Sequence, residues 1–395
     1  MIVRKKLPGF PSLPACGSGR SRPPALVLVF AVLVGLTAAC AAPDAPDSAG
    51  APDSAGGMAD GVPQFEPVEG WFQLPEGFEW GQVIGLFADA RGHVWTSSGS
   101  QIGEWDTEGN LVQSWSAAGP DGNWSTIHGL FVDHNDFVWT NARESQMTLK
   151  FTRDGEHVMT LGRFDETGGS NDPTLMGRPA EIWVDPEDNE VFIADGYGNR
   201  RVIVVDGESG EYLRHWGAYG EQPDDDYEWD PMSGEPSRQF QTAHGIAGAR
   251  DGLIYLADRA NNRIQVFRQG GEYVMEKIVR PLCPPEGDPV PYCGGSAAFS
   301  VGFSPDEAQT WLYVADGGSH VILVLRRSDL EVVDEFGGPG VGPGGLGRPH
   351  NLSIDPQGNM FVAEAAGPMV VNAAGDSVQA GFRAQKFAVR GAEGS

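Results

Sequence analysis

The fold of this chain is decided by one stretch, residues 240–267, which reads FQTAHGIAGARDGLIYLADRANNRIQVF. An apolar run begins at His244, a turn follows at Asp251-Gly252, and a second apolar run covers residues 253–257. Two apolar runs on either side of a short turn that contains glycine are typical of a β-hairpin. The stretch therefore predicts paired antiparallel strands.

The same pattern occurs six times, at spacings of roughly 45 to 60 residues. The second apolar runs of the six copies are at residues 94–96, 138–140, 191–195, 253–258, 312–316 and 360–364. Several copies continue into a third and a fourth strand-like run. Four short strands per repeat predict an all-β fold, a six-bladed β-propeller. A solenoid is the structural alternative, although closure into a ring removes free sheet edges.

The composition divides the chain into three parts. Residues 1–39 carry basic residues and then an apolar run from Ala25 to Leu36, as in a signal peptide. Small residues before Cys40 predict lipoprotein processing with lipidation of Cys40, and plain A-x-A type cleavage is the alternative. Residues 40–64 repeat Ala-Pro-Asp-Ser-Ala-Gly and offer no core side chains, which predicts a disordered tether. The propeller is expected over residues 65–390.

The charge of the chain restricts its partners. The formal net charge is −27, and removal of the five basic residues in positions 1–39, where no acid occurs, makes it −32. Such a charge argues against binding to nucleic acid or to an anionic membrane surface. We expect an exported monomer that contacts a membrane only through a lipid anchor and faces the periplasm or the cell exterior.

Two of the four cysteines belong to the predicted propeller. Cys283 and Cys293 flank the proline-rich run PPEGDPVPY. In an exported protein, two cysteines that close such a loop predict a structural disulfide. A zinc-binding pair is less favoured, because the spacing is long and no second pair exists.

Three histidines share one position of the repeat. When the six copies are aligned on their first aspartate, the second, fourth and sixth copies hold His128, His244 and His350 just before the apolar run. Alternate blades of a six-bladed ring lie about 120° apart, so these side chains are expected to converge on the ring axis. Three imidazoles with an open fourth position are typical of catalytic zinc. The alternative is a plug of hydrogen-bonded histidines in the channel.

Two polar residues are expected at the mouth of this channel. Tyr197 and Arg259 follow, by two residues and by one, the aspartates that end the second strands of their repeats. The alternative for each is an exposed loop residue. We interpret the acids and arginines of neighbouring positions as structural, since such acids usually satisfy turn amides within a blade: Asp195, Asp258, Asp316, Arg201 and Arg263. The chain has no Gly-x-Ser-x-Gly, P-loop, dinucleotide fingerprint or Cys-x-x-Cys motif.

Residues 257–267, ADRANNRIQVF, resemble an NHL repeat. The whole predicted propeller resembles one enzymatic family of that class, the peptidyl-α-hydroxyglycine α-amidating lyases, which are six-bladed propellers with zinc held by three histidines. The resemblance is most specific at residues 128–130, 195–199, 244–259 and 349–350. It implies that His128, His244 and His350 bind zinc, that Tyr197 is the catalytic tyrosine, and that Arg259 binds substrate.

The resemblance also implies a structural calcium ion and shows two departures. Backbone carbonyls at Leu86 and Leu130 correspond to calcium ligands of the family, and Asn351 stands where the family has an aspartate ligand. Ser98 stands where the family has a second arginine. Arg143, one blade over from Ser98, occupies the repeat position of Arg259, which makes it a candidate for the missing cation.

We therefore expect an exported zinc-dependent carbon–nitrogen lyase. Its substrate would be a small molecule or a peptide with an α-hydroxyglycine-type carbinolamide, and its products an amide and glyoxylate. The alternative is a non-catalytic NHL propeller that binds a protein or ligand at the cell surface. A lactonase-like hydrolase is a third interpretation, although such propellers rely on acids and calcium rather than histidines.

Overall fold

The computed structural model of the protein describes residues 61–119, 122–124, 127–230, 233, 235–282 and 296–390. The predicted signal peptide (1–39), the lipidation site Cys40 and the predicted disulfide between Cys283 and Cys293 lie outside the described residues. The same holds for the predicted tether except residues 61–64. No helix in the described part of the chain is long and apolar enough to cross a membrane.

The described chain is built from strands. In chain order they are β1 (Phe65–Val68), β2 (Val83–Ala88), β3 (Val94–Ser98), β4 (Gln101–Trp105), β5 (Leu111–Ser116), β6 (Ile127–Val132), β7 (Val138–Ala142), β8 (Met147–Phe151), β9 (His157–Gly162), β10 (Ile182–Val184), β11 (Glu190–Asp195), β12 (Arg201–Asp206), β13 (Tyr212–Trp216), β14 (Ala243–Gly248), β15 (Leu253–Asp258), β16 (Arg263–Arg268), β17 (Tyr273–Ile278), β18 (Ala298–Phe303), β19 (Trp311–Asp316), β20 (Val321–Arg326), β21 (Glu331–Gly337), β22 (Arg348–Ile354), β23 (Met360–Ala365), β24 (Met369–Val371), β25 (Ser377–Gln379) and β26 (Arg383–Val389). Short 3-10 turns cover Arg143–Ser145, Ala218–Gly220 and Arg259–Asn261.

The strands form six four-stranded antiparallel sheets, which are the six blades of a β-propeller. Blades 1 to 5 are β2–β5, β6–β9, β10–β13, β14–β17 and β18–β21, each running from the innermost to the outermost strand. Strands β24 and β25 form a separate hairpin. The prediction of an all-β, six-bladed propeller is confirmed.

Blade 6 closes the ring with strands from both ends of the propeller. Its order is β22-β23-β26-β1, so the first strand of the propeller pairs with the last one. Phe65 lies opposite Val389, and Val68 lies opposite Lys386. The innermost strand β22 also packs against β2 of blade 1. Closure thus joins the two ends of the propeller by backbone hydrogen bonds within one blade.

The hydrophobic core lies between the blades. Each of its six main clusters combines side chains of two neighbouring blades. In β11, Val191 and Ile193 face blade 2, whereas Phe192 and Ala194 face blade 4. Because both faces of the strand are buried, its sequence is a continuous apolar run rather than an alternation of apolar and polar residues.

The two faces of the ring differ in their connections. The fourth strand of each blade returns to the face on which the next innermost strand begins, which we call the upper face. The long connections 163–181 and 217–242 and the β24–β25 hairpin all lie on this face. The opposite, lower face carries short turns such as 249–252 and 355–359. The upper face is therefore where the chain can vary most without disturbing the blades.

The acids and arginines interpreted as structural are buried inside the blades. Arg263 Nε lies 2.9 Å from Asp258 Oδ2, and both side chains are fully buried. Asp258 Oδ1 accepts hydrogen bonds from the backbone amides of Gln241 and Thr242. The same kind of pair joins Arg201 to Asp195 in blade 3. This interpretation is confirmed.

Replacement of Arg263 by methionine should destabilise the propeller by about 3–5 kcal/mol, because the Asp258 carboxylate would stay buried without its partner. Urea unfolding of the variant and the parent measures the difference. Arg326→Ala is the control, since Arg326 pairs with Asp329 at the exposed surface. The urea concentration at the midpoint of its unfolding should equal that of the parent. Equal loss in the two variants would contradict the structural role of the buried pair.

Candidate metal centre

Three buried histidines meet at the axis of the propeller. His128, His244 and His350 lie on β6, β14 and β22, the innermost strands of blades 2, 4 and 6. Their ring centroids are 4.7 to 4.9 Å apart. One nitrogen of each ring lies within 4.8 Å of the corresponding nitrogens of the other two. The three histidine side chains therefore converge on the axis of the ring, as the sequence predicts.

Local irregularities of the innermost strands direct the histidines toward the axis. Ala243 pairs with Asp258 and Gly245 pairs with Ala257, so His244 has no partner across the hairpin. The register of β22 shifts in the same way around His350. Such β-bulges bend a strand and redirect a side chain. Gly245 allows the close approach to blade 5, because a Cβ there would lie 2.7 Å from the carbonyl oxygen of Phe299.

Two of the three histidines are oriented by the backbone of the next blade. His128 Nδ1 lies 3.0 Å from the carbonyl oxygen of Ala180, and His244 Nδ1 lies 2.6 Å from that of Phe299. A carbonyl oxygen can only accept, so each of these two Nδ1 atoms carries the proton and donates it. In His128 and His244 the lone pair of the ring is then on Nε2, the nitrogen available to a metal ion.

Burial keeps the three imidazoles neutral. It lowers the pKa of His128 and His244 well below the usual range and lowers the pKa of His350 to about 3. The charges of Arg143 and Arg259 act in the same direction on His128 and His350. Neutral histidines are the form that binds metals. Three neutral imidazole nitrogens that face one another fit Zn²⁺, for which imidazole is an ordinary ligand.

A tyrosine lies directly beside this cluster, on the upper face. Tyr197 follows β11, and its hydroxyl oxygen is 3.1 Å from Nε2 of both His128 and His244. Arg259 Nη1 donates a hydrogen bond of 2.8 Å to the same oxygen. Gly196 brings Tyr197 to this position, since a Cβ there would lie 2.2 Å from the backbone of the next blade at Ala243.

Two arginines flank the tyrosine. The guanidinium carbon of Arg143 lies 4.6 Å from the centre of the Tyr197 ring, and that of Arg259 lies 5.1 Å from it. Each arginine opens the 3-10 turn that follows the second strand of its blade. Arg143 also forms an ion pair of 2.6 Å with Glu144. The structure thus brings Tyr197, Arg259 and Arg143 together with the histidines at one mouth of the channel.

Ser98, in contrast, supplies no charge to this mouth. Its hydroxyl oxygen accepts a hydrogen bond of 2.9 Å from the backbone amide of Gly81. Arg143 of blade 2, which lies against the Tyr197 ring at this mouth, stays the candidate for the cation that the resemblance places in blade 1.

Phe299 is a residue of the centre that the sequence analysis did not identify. Its ring lies 5.3 Å from the rings of both His244 and His350, and the Arg259 guanidinium carbon lies 4.8 Å from the ring centre. Phe299 and Ala180 occupy the repeat position of the histidines in blades 5 and 3. Their shared repeat position could have indicated that both residues lie next to the histidines. Their side chains are apolar, however, and the sequence does not show that their backbone carbonyl oxygens accept hydrogen bonds from His128 and His244.

The residues expected to bind calcium line a second cavity on the lower side of the channel. Leu86, Leu130 and Asn351 border a space of about 430 Å³ together with Glu181 and Ser300. Burial raises the pKa of Glu181 well above its usual value. Oxygen donors from several blades therefore meet here, as a Ca²⁺ site requires.

A further group of possible ligands, in blade 1, is closed by an arginine of blade 2. Asp89, His93 and Glu104 have ligand atoms within 4.8 Å of one another. Arg153 Nη2 lies among them and forms ion pairs with both Asp89 and Glu104. A cation is already supplied by the protein, so this group does not offer a metal site.

Comparison with known proteins agrees with the fold and the repeat. Residues 240–267 match the NHL repeat family. The chain is 27% identical over 210 residues to peptidyl-glycine alpha-amidating monooxygenase B of Xenopus laevis, a match that covers 53% of this chain and 21% of the relative. It is 25% identical over 237 residues to NHL repeat-containing protein 3 of Homo sapiens, with 56% of each chain covered. A streptogramin B lyase structure superimposes with a TM-score of 0.53 at 14% identity, covering 85% of this chain and all of that one.

The extent of these matches limits what they show. This chain spans about a fifth of the length of the amidating monooxygenase it matches. The structural likeness at 14% identity shows the propeller fold alone. The chain is therefore a six-bladed β-propeller that contains an NHL repeat and is distantly homologous to the peptidylglycine α-amidating monooxygenases.

Proposed function

We propose that the protein is a zinc-dependent lyase of the peptidyl-α-hydroxyglycine amidating type. It would cleave the C–N bond of a carbinolamide and release an amide and glyoxylate. The observation that carries this proposal is the placement of Tyr197 Oη 3.1 Å from Nε2 of two neutral histidines at the axis. An acid–base group and a metal-binding group are thus within reach of one small substrate.

Each part of the site has a role in this reaction. A zinc ion bound by the three histidines would supply Lewis-acid polarisation of a substrate oxygen. Tyr197, as the general base, takes the proton of the carbinol hydroxyl. The O–H electron pair forms the C=O bond of glyoxylate while the C–N pair moves onto nitrogen. Tyr197 then returns the proton to the amide nitrogen, so protons and electrons balance.

The arginines would hold the substrate and the base in place. Arg259 donates to Tyr197 Oη, which puts a positive charge beside the oxygen that exchanges the proton. Arg259 and Arg143 contact the Tyr197 ring, so a substrate at this oxygen lies near two guanidinium groups. A carboxylate is the group that such guanidinium pairs bind, and α-hydroxyglycine compounds end in one.

Further parts of the proposal concern the setting of the reaction. The substrate would be a peptide or small molecule, because the site lies at a channel mouth between long loops. The protein would act as an exported monomer, tethered through a lipid on Cys40, with a disulfide between Cys283 and Cys293 and a structural calcium ion.

The homology to amidating monooxygenases supports the lyase chemistry. Ser98, which stands in blade 1 where the lyase family has an arginine, supports the alternative of a propeller that only binds a ligand.

The purified protein should contain about one tightly bound zinc ion per chain, and His244→Ala should lose it, because two imidazoles bind zinc more weakly than three. Mass spectrometry of the metals measures the content. His134→Ala is the matched control, since His134 is exposed and away from the axis. Zinc that is absent from the parent, or unchanged in His244→Ala, would contradict the metal centre and favour the non-catalytic propeller.

Zinc-loaded protein should release glyoxylate from an α-hydroxyglycine compound, and Tyr197→Phe should lower kcat by roughly 100-fold or more through loss of the acid–base group. A coupled glyoxylate assay, run with and without chelator, measures the rate. The variant should keep its zinc, because Tyr197 is not a ligand. If the zinc-loaded parent releases no glyoxylate, the reaction is wrong although the metal centre stands.

Arg143→Ala should lower kcat/KM by roughly 10-fold or more, chiefly through a higher KM, because it removes one charge-assisted contact to the substrate carboxylate. The same assay, repeated over a range of substrate concentrations, gives both constants. Arg163→Ala serves as control, since Arg163 forms an exposed ion pair with Glu166. An unchanged KM for Arg143→Ala would mean that Arg143 does not replace the cation missing at Ser98.

A further inference from the structure

The channel contains a second polar layer, one residue along each innermost strand from the histidine position. Blades 1, 2 and 4 have glycine at this position, and blades 3, 5 and 6 have polar side chains. The six residues in blade order are Gly85, Gly129, Glu181, Gly245, Ser300 and Asn351. The glycines leave the centre of the layer to the three polar groups. Ser300 Oγ lies 3.4 Å from Glu181 Oε2 and 3.3 Å from Asn351 Oδ1.

Glu181 is a buried carboxylate whose partners are incomplete. It is 6% exposed, and its Oε1 atom has no hydrogen-bond partner among the described residues. The groups that reach the carboxylate are the backbone of Ile246 and the hydroxyl of Ser300, and no cationic side chain of the described chain is among them. The Ser300 hydroxyl has one proton and cannot donate to Glu181 and Asn351 together. A buried anion in this state is unfavourable unless a cation joins it.

We propose that Glu181 supplies the carboxylate for a divalent cation, Ca²⁺, held in this layer together with Asn351 Oδ1 and Ser300 Oγ. The calcium site implied by the resemblance takes its carboxylate from blade 6, where this chain has the uncharged Asn351. Blade 3 lies across the ring from blade 6, so Glu181 restores the negative charge from the opposite side. This inference does not depend on the lyase reaction.

The donor atoms and the cavity select the kind of ion. The layer offers only oxygen donors, which suit a hard cation such as Ca²⁺, whereas the histidine layer offers only nitrogen. Ca²⁺ takes 6–8 oxygen ligands, so backbone carbonyls and water would complete the shell around the three side chains. The cavity of about 430 Å³ that Glu181 lines leaves room for such water molecules. It is bordered by lower-face turn residues such as Pro305 and Pro356, which gives the ion a route separate from the substrate mouth.

The competing explanation is that Glu181 is protonated and only donates a hydrogen bond within the layer. In that case Ca²⁺ would have no effect on the folded protein, and glutamine, which is similar in shape and uncharged, would replace Glu181 without consequence. The two explanations therefore predict different responses to calcium, and neither response requires catalytic turnover.

The test uses the full chain loaded with zinc, from which calcium has been removed by a chelating resin and in which zinc has been measured again. Addition of Ca²⁺ at about 100 times its Kd should raise Tm by on the order of 5 °C. Tb³⁺ should bind in place of Ca²⁺ and give luminescence excited through Trp183, which lines the same cavity. Glu181→Gln should abolish both signals while it keeps zinc. Glu187→Gln, an exposed acid of the same blade, should retain both signals.

A second variant keeps the proposal testable if Glu181→Gln does not fold. Asn351→Asp adds a carboxylate opposite Glu181, so it should tighten Tb³⁺ binding by roughly 10-fold or more. A parent protein that shows neither a calcium-dependent Tm nor Tb³⁺ luminescence would overturn the proposal. So would a calcium response that persists unchanged in Glu181→Gln, or weaker Tb³⁺ binding in Asn351→Asp. Loss of glyoxylate release, with both calcium signals intact, would count against the proposed reaction alone.

Discussion

The pairing of β1 with β26 is the constraint on which the centre of this protein depends. It holds the first and last strands of the propeller in one sheet, and blade 6 then packs against blade 1. Because the ring is closed, six innermost strands have to share one axis. His128 and His350, far apart in sequence, become neighbours only through this closure. The histidine cluster is thus a product of the tertiary fold rather than of any single repeat.

Two chemically different sets of side chains lie next to each other along the channel, at consecutive positions of the innermost strands. The histidine position presents three neutral imidazoles, and the next position presents a carboxylate, an amide and a hydroxyl. β-Bulges allow consecutive residues of one strand to reach the channel, which regular alternation would forbid. One ring of blades can therefore place nitrogen donors near the upper face and oxygen donors below them.

Much of this arrangement could be predicted from the repeats. Alignment of the six copies placed three histidines at one position, and the symmetry of a ring placed them at the axis. The same alignment placed Arg143 and Arg259 at equivalent turns, and both contact Tyr197. It could not show that Ser98 is engaged with Gly81, or that the carbonyl of Phe299 orients His244, because such contacts depend on how adjacent blades meet.

The sequence by itself determined the all-β fold, the number of blades and the three histidines at the axis. These properties follow from the residue pattern of a single repeat and from the number of times that the pattern occurs along the chain. Only the tertiary structure decided which of those residues touch, which nitrogen of His128 and His244 is free, and that Glu181 meets Ser300 and Asn351 in the channel. These properties depend on contacts between residues of different blades. The spacing of residues within one repeat does not determine the distances between residues of two blades.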